Sequence, residues 1–119
     1  MENEIVNKPW GYYEDIHRSK ELVFKRIVVG PECRLSLQSH KLRSEVWYIE
    51  RGFAKITIGD DIHKVGANCS VNIPVGYVHR VENLSMDHEL VIFEVQMGEC
   101  NEDDIVRIED DYGREESSK

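Results

Sequence analysis

Eight short runs rich in Val, Ile, Phe, Tyr and Trp, each closed by a turn signal, most constrain what this chain can fold into. They are ELVFKRIVV (21–29), CRLSLQ (33–38), EVWYIE (45–50), FAKITI (53–58), DIHKV (61–65), CSVNI (69–73), VHRVEN (78–83) and ELVIFEVQM (89–97). β-Branched and aromatic side chains suit a pleated, half-buried surface. Between the runs stand turn formers such as Gly30-Pro31, Arg51-Gly52, Gly66-Ala67-Asn68 and Pro74-Val75-Gly76. Strands this short and evenly spaced, without a long helical pattern, predict an all-β sandwich or barrel. The 119 residues fit one domain, with a core over about 20–98 and a tail over 99–119.

That tail has a different character. From Glu99 to Glu116 it carries nine Asp or Glu against two Arg. Asn101, Glu102 and Asp103 are capping residues, and a short helix is expected through DDIVR. The alternating acidic register of a calcium loop is missing. The formal net charge of -8 argues against nucleic acid as a partner. An anionic small molecule remains compatible, because Arg and Lys gathered in one pocket bind phosphate on an acidic protein. No apolar run approaches the length of a membrane span, and the polar start MENEIVNKPWG lacks the pattern of a secretory leader. Cys33, Cys69 and Cys100 are widely spaced and odd in number, which predicts reduced thiols in a cytoplasmic setting.

The polar residues inside the β-rich stretch LSLQSHKLRSEVWYIERG are the functional signal. Side chains alternate along a strand, so Gln38 and His40 share a face. Glu45 opens the next run, and His79 follows the tight turn of PVGYVHRVEN. A strand–loop–strand corner can converge such side chains on one ion. Imidazole, carboxylate and amide donors suit a divalent transition metal: Zn, Mn, Fe, Co or Ni. His17, His63 and His88 have no neighbour at ligand spacing.

These residues resemble the two motifs of the cupins, the double-stranded β-helix family of jelly-roll-like barrels. The first motif is matched by Gln38 (in place of its first His), His40, Glu45 and Gly52, the second by Gly66, Pro74, Gly76, His79 and Asn83. Further segments, among them KPWGYYE, RLSLQSH, FEVQMGE and EDDIVRIEDDYGR, are similar to the carboxy-terminal isomerase domain of type II phosphomannose isomerases. The resemblance implies the metal set Gln38, His40, Glu45 and His79. It also implies a stand-alone domain interconverting mannose 6-phosphate and fructose 6-phosphate, in the service of polysaccharide precursor supply. The chain departs from that family at Lys41, Leu42 and Val46, where the family carries His. Another sugar substrate, or a sugar-binding cupin without turnover, is the competing reading.

Aldose–ketose isomerisation needs a polarised carbonyl, a base near the C2 proton and a grip on the phosphate. Ile92, Glu94 and Gln96 share a strand face, which makes Glu94 a candidate base or a structural ion-pair partner and Gln96 a candidate substrate contact. Of the neighbours Lys25 and Arg26 one faces inward, and Lys25 joins Glu94 as a catalytic candidate. Arg34 falls on the face of Ser36, Gln38 and His40. With Arg43, Arg80, Arg107 and Arg114 it completes the candidate anion contacts. Trp47 and Trp10 are candidates for the pocket wall and the barrel mouth. A homodimer is expected, since open sheet edges need covering.

Overall fold

A computed structural model describes residues 4–101 and 103–113. Eleven strands make up its regular structure, and no helix occurs among the described residues. In chain order they are β1 (Ile5–Lys8), β2 (Gly11–Arg18), β3 (Leu22–Val29), β4 (Leu37–Ser39), β5 (Arg43–Arg51), β6 (Ala54–Ile58), β7 (Asp61–Val65), β8 (Ser70–Ile73), β9 (His79–Asn83), β10 (Leu90–Gly98) and β11 (Val106–Glu109). One sheet runs β1-β2-β3-β10-β5-β8 and the other β11-β4-β9-β6-β7. Every pairing is antiparallel. Among the described residues no helix is long and apolar enough to cross a membrane.

Period-two burial explains the two-layer architecture. Along β5, Arg43, Glu45, Trp47 and Ile49 are buried while their neighbours are half-buried or exposed. Ile27, Val29, Trp47, Ile49, Leu90 and Ile92 of the first sheet meet Ala54, Ile56 and Val81 of the second in one apolar core. Fully burying an aliphatic or aromatic side chain contributes roughly 1.5–3 kcal/mol, so this shared face holds the sheets together. The polar end of the same interior is where β3, β10 and β5 face β4, β9 and β11.

Two glycines tie the motifs to this frame. Gly76 has φ 83, which the turn closed by Tyr77 N–H to Pro74 C=O (3.2 Å) requires, and its own N–H donates to the His40 carbonyl at 2.9 Å. Gly98, at φ 118, lies so close that a Cβ would stand 2.6 Å from the Leu42 carbonyl oxygen. Both therefore press on the loop between His40 and β5. Asn83 is structural: its amide donates to the carbonyls of Val29, Gly30 and His88 at 3.0, 3.1 and 2.8 Å. Where the cupin motif opens with Gly, six residues before Gln38, this chain has Glu32 at φ 60.

The structure departs from the sequence expectations at both ends. β1 and β2 precede the expected core, and β2 pairs along β3 from Gly11↔Val29 to Arg18↔Val23. Their charged, half-exposed residues masked the alternation. In the tail, the expected helix is absent. Asn101 instead closes a turn, with its side-chain oxygen accepting from Asp103 N–H (2.9 Å) and its carbonyl from Asp104 N–H (3.0 Å). Capping residues favour turns for the same reason they favour helix starts. The few residues beyond are too short to hold a helix, and β11 pairs with β4 instead.

Candidate metal centre

Strand register assembles the site from two rows, one on each sheet. On the first sheet Glu94 stands opposite both Lys25 and Trp47, and Gln96 opposite Glu45. On the second, Gln38 stands opposite both His79 and Arg107. Directly opposed residues share a face, so both rows point into the interior. His40 follows β4 and is buried, as are Glu45 and His79.

One donor atom each from His40, Glu45 and His79 lie within 4.8 Å of one another. His40 Nε2 is 3.3 Å from Glu45 Oε2, and His79 Nε2 is 3.8 Å from Glu45 Oε1. The other ring nitrogens fix the tautomers. His40 Nδ1 donates to the Asp104 carbonyl at 2.7 Å and His79 Nδ1 to the Tyr77 carbonyl at 3.0 Å. Both Nε2 lone pairs therefore face Glu45, the arrangement a metal-ligating imidazole needs. Burial, and then the Arg43 guanidinium, lower the His40 pKa to about 4. Burial likewise lowers that of His79. Both rings are neutral at pH 7, as ligands must be.

The fit to an ion rests on an orphan. His79 Nε2 is buried and has no hydrogen-bond partner. An unsatisfied buried acceptor is costly, and a cation is the partner that two imidazoles and a carboxylate suit together. Gln38 lines a cavity that His40 also borders, with its Oε1 accepting from Ser36 Oγ at 2.7 Å.

Glu94 sits beside this cluster. Trp47 Nε1 donates to Glu94 Oε2 at 2.9 Å and to Glu45 Oε1 at 3.0 Å, and Gln96 Nε2 donates to Glu94 Oε1 at 2.8 Å. Burial, and then the Glu45 charge, push Glu94 up to about 7. Glu94 is therefore a buried carboxyl beside the cluster, with Lys25 opposite it in the register and the Lys25 and Arg43 charges opposing the upward shift. Lys25 is the inward-facing neighbour, buried with its ammonium 4.1 Å from the Tyr13 ring centre.

The arginine candidates separate. Arg43 donates from Nε to Glu45 Oε2 at 3.0 Å, and its Nη2 lies 3.2 Å from His40 Nε2. Arg43 and Arg107 line the cavity with Lys25, Glu94 and Gln96. Arg34 and Arg80 do not, and Arg114 lies outside the described residues. Arg34 makes a two-pronged pair with Asp111 (2.7 and 2.8 Å), which moves the guanidinium further up and holds the Asp111 carboxyl below its usual range. Its expected parity with Gln38 fails because strand pairing lapses between the isolated Arg34↔Glu82 bridge and β4. Arg80 is consumed by the Leu35 carbonyl and by Glu109. Both hold the tail against the barrel. Trp47 packs in the core with its N–H on the carboxylates, while Trp10 reaches the cavity. Sequence reasoning missed Lys8, Tyr13 and Asp104. Lys8 and Tyr13 belong to the overlooked β1 and β2, and Asp104 to the tail assigned as helix.

The family model described as mannose-6-phosphate isomerase C-terminal matches residues 1–110. The chain is 44% identical over 110 residues to the xanthan biosynthesis protein XanB of Xanthomonas campestris pv. campestris (strain B100), covering 92% of this chain and 23% of that protein. It is 43% identical to the mannose-1-phosphate guanylyltransferase of Escherichia coli (strain K12) and 42% identical to the alginate biosynthesis protein AlgA of Pseudomonas aeruginosa, each with the same coverage. The chain thus spans about a quarter of the length of these curated relatives. Among solved structures, oxalate decarboxylase from Bacillus subtilis aligns with TM-score 0.78 and 20% identity over 89% of this chain and 30% of that one. An RmlC-like cupin from Shewanella frigidimarina aligns with TM-score 0.75 and 18% identity over 85% and 87%. The expected cupin double-stranded β-helix is the observed fold.

Proposed function

Because this chain belongs to the mannose-6-phosphate isomerase C-terminal family, we propose that it is a metal-dependent isomerase interconverting mannose 6-phosphate and fructose 6-phosphate. The observation that carries the reading is the convergence of His40, Glu45 and His79 beside a carboxyl, Glu94, that titrates at about 7. Gln38 completes the ligand set from its place opposite His79. A divalent ion held there supplies Lewis acidity to a carbonyl oxygen.

Glu94 then acts as the base. Its carboxylate takes the proton from C2 of the aldose, the C–H electron pair becomes the C1=C2 bond, and the C1=O π pair moves onto the C1 oxygen, which takes up one proton to give an enediol. The same carboxyl returns the proton to C1 while the C2 hydroxyl releases its own proton, which balances the one taken up at the C1 oxygen, and becomes the ketone oxygen. Atoms and electrons balance without an external oxidant. The donors from Trp47 and Gln96 keep the Glu94 oxygens oriented through the cycle. Lys8, Lys25, Arg43 and Arg107 line the cavity, against the single carboxylate Glu94. That local positive excess, on a chain of net charge -8, suits a phosphate.

The departures from the family pattern lie off the cavity, which is compatible with the proposed activity. Lys41 and Leu42 are exposed, Val46 alternates away from Glu45 and Trp47, and none of the three lines the cavity. The test is a coupled assay of mannose 6-phosphate conversion on protein stripped by chelator and reloaded with Mn, Co, Ni, Fe or Zn in turn. Turnover restored by metal is the expected result. Folded, metal-loaded protein without turnover would sink the proposal and favour another sugar or a binding role. A cytoplasmic homodimer paired through the open sheet edges is part of the same proposal. Light scattering of the purified protein checks the dimer.

A further inference from the structure

The two histidines of the centre are oriented by different means. His79 Nδ1 bonds to Tyr77, two residues away in its own loop. His40 instead borrows its orientation from Asp104, 64 residues further along the chain. Asp104 meets three consecutive residues at once. Its carbonyl accepts from the His40 ring at 2.7 Å, Oδ1 from Lys41 N–H at 2.9 Å and Oδ2 from Leu42 N–H at 2.8 Å. The β4–β11 ladder ends beside it at Val106↔Ser39. The carboxylate therefore continues the ladder through the loop that carries the ligand.

We infer that Asp104 is a positioning residue of the metal centre: its side chain pins the loop after His40 so that its own carbonyl can aim His40 Nε2 at the ion. The inference rests on the metal-centre reading above and does not depend on the substrate. Asp suits the position because one short carboxylate reaches two adjacent N–H groups at once. An amide at the same place would offer one acceptor and turn a second donor toward a donor. The segment is also tied on its other side, by Asp104 N–H to the Asn101 carbonyl at 3.0 Å and Arg43 Nη1 to the same carbonyl at 3.4 Å. The Asn101–Asp104 turn is thus connected to the loop, to His40 and to Arg43, and Asp104 does not line the cavity. Loss of an outer partner of this kind typically lowers metal affinity about 10–100-fold.

The test is titration of the metal-free protein with Co(II), read as affinity and as the visible absorption of the bound ion, with no sugar present. Asp104→Ala should lower Co(II) affinity about tenfold or more and change the absorption bands. Asp104→Asn, which keeps one acceptor, should fall between it and the parent, and carries the test should the Ala variant fail to fold. Asp111→Ala is the control. It cuts the Arg34 pair further along the tail and should leave affinity and spectrum within twofold of the parent. Unchanged Co(II) binding in both Asp104 variants would overturn the inference, as would an equal loss in Asp111→Ala. A parent protein that takes up no Co(II) would overturn the metal centre itself. Normal Co(II) behaviour without isomerase turnover would refute the proposed activity and leave Asp104 in its role.

Discussion

Replacing Glu94 with Gln should remove turnover while making the metal-free protein more stable above neutral pH. The two effects have one cause. Burial, and then the neighbouring Glu45 charge, raise the Glu94 carboxyl from 4.5 to about 7. The sign follows from proton binding. The folded state holds this proton more tightly than the unfolded chain, so the associated stability is complete below about pH 4.5 and is lost as pH rises to about 7. The loss amounts to about 3 kcal/mol once Glu94 is ionised. Gln carries no charge and escapes it. The hydrogen bonds adapt as well, because Gln96 Oε1 is buried without a partner. A flip of the Gln96 amide presents that oxygen to the new amide donor, and Trp47 keeps a carbonyl to donate to. The variant should therefore gain roughly 1–3 kcal/mol over the parent at pH 8 and nothing at pH 4.5. Denaturant unfolding of chelated protein at the two pH values measures this. Turnover should fall about 10²–10⁴-fold, the usual worth of a general base, or about 3–5 kcal/mol of barrier. A variant that keeps turnover within fivefold, or that is less stable than the parent at pH 8, would refute the assignment of a strained, proton-carrying Glu94.

Other expectations follow from single contacts. His79→Ala should abolish stoichiometric metal uptake in elemental analysis of the purified protein, since it removes the orphaned Nε2; unchanged metal content would rule His79 out as a ligand. Arg107→Ala should raise the KM for a sugar phosphate tenfold or more through loss of a cavity cation, whereas Arg34→Ala should leave KM within twofold. Asn83→Ala should destabilise the fold by about 3 kcal/mol in chemical denaturation, because three carbonyls lose their donor. Glu32→Gly should raise stability by about 1 kcal/mol, relieving a left-handed backbone at φ 60; an unchanged or lower midpoint would show that Glu32 is held by contacts worth more than its strain.

The candidate metal centre is legible in the amino-acid order because its signals are local. Gln38 and His40 share a face by alternation, Glu45 opens the next strand, and the Pro74–Gly76 turn delivers His79. Spacing of this kind survives any arrangement of the rest of the chain. The same holds for the strands from β3 to β10, whose apolar alternation needs no partner to be seen. Reasoning from parity failed at Arg34, where the strand is interrupted, and at β1 and β2, whose polar residues hide the period.

The all-β class, the ligand types and their order along the chain are thus properties of the sequence alone. Tertiary structure decided which cations line the cavity and which pair with carboxylates of the tail. It brought Lys25 and Trp47 opposite Glu94 through pairings of β10 with β3 and β5. It also turned an acidic segment that reads as a helix into β11 and the clamp on His40. The physical reason is that a carboxylate's role depends on what faces it. Burial beside Glu45 raises Glu94, while two backbone N–H groups engage Asp104, and neither environment is encoded within a few residues of the group it acts on.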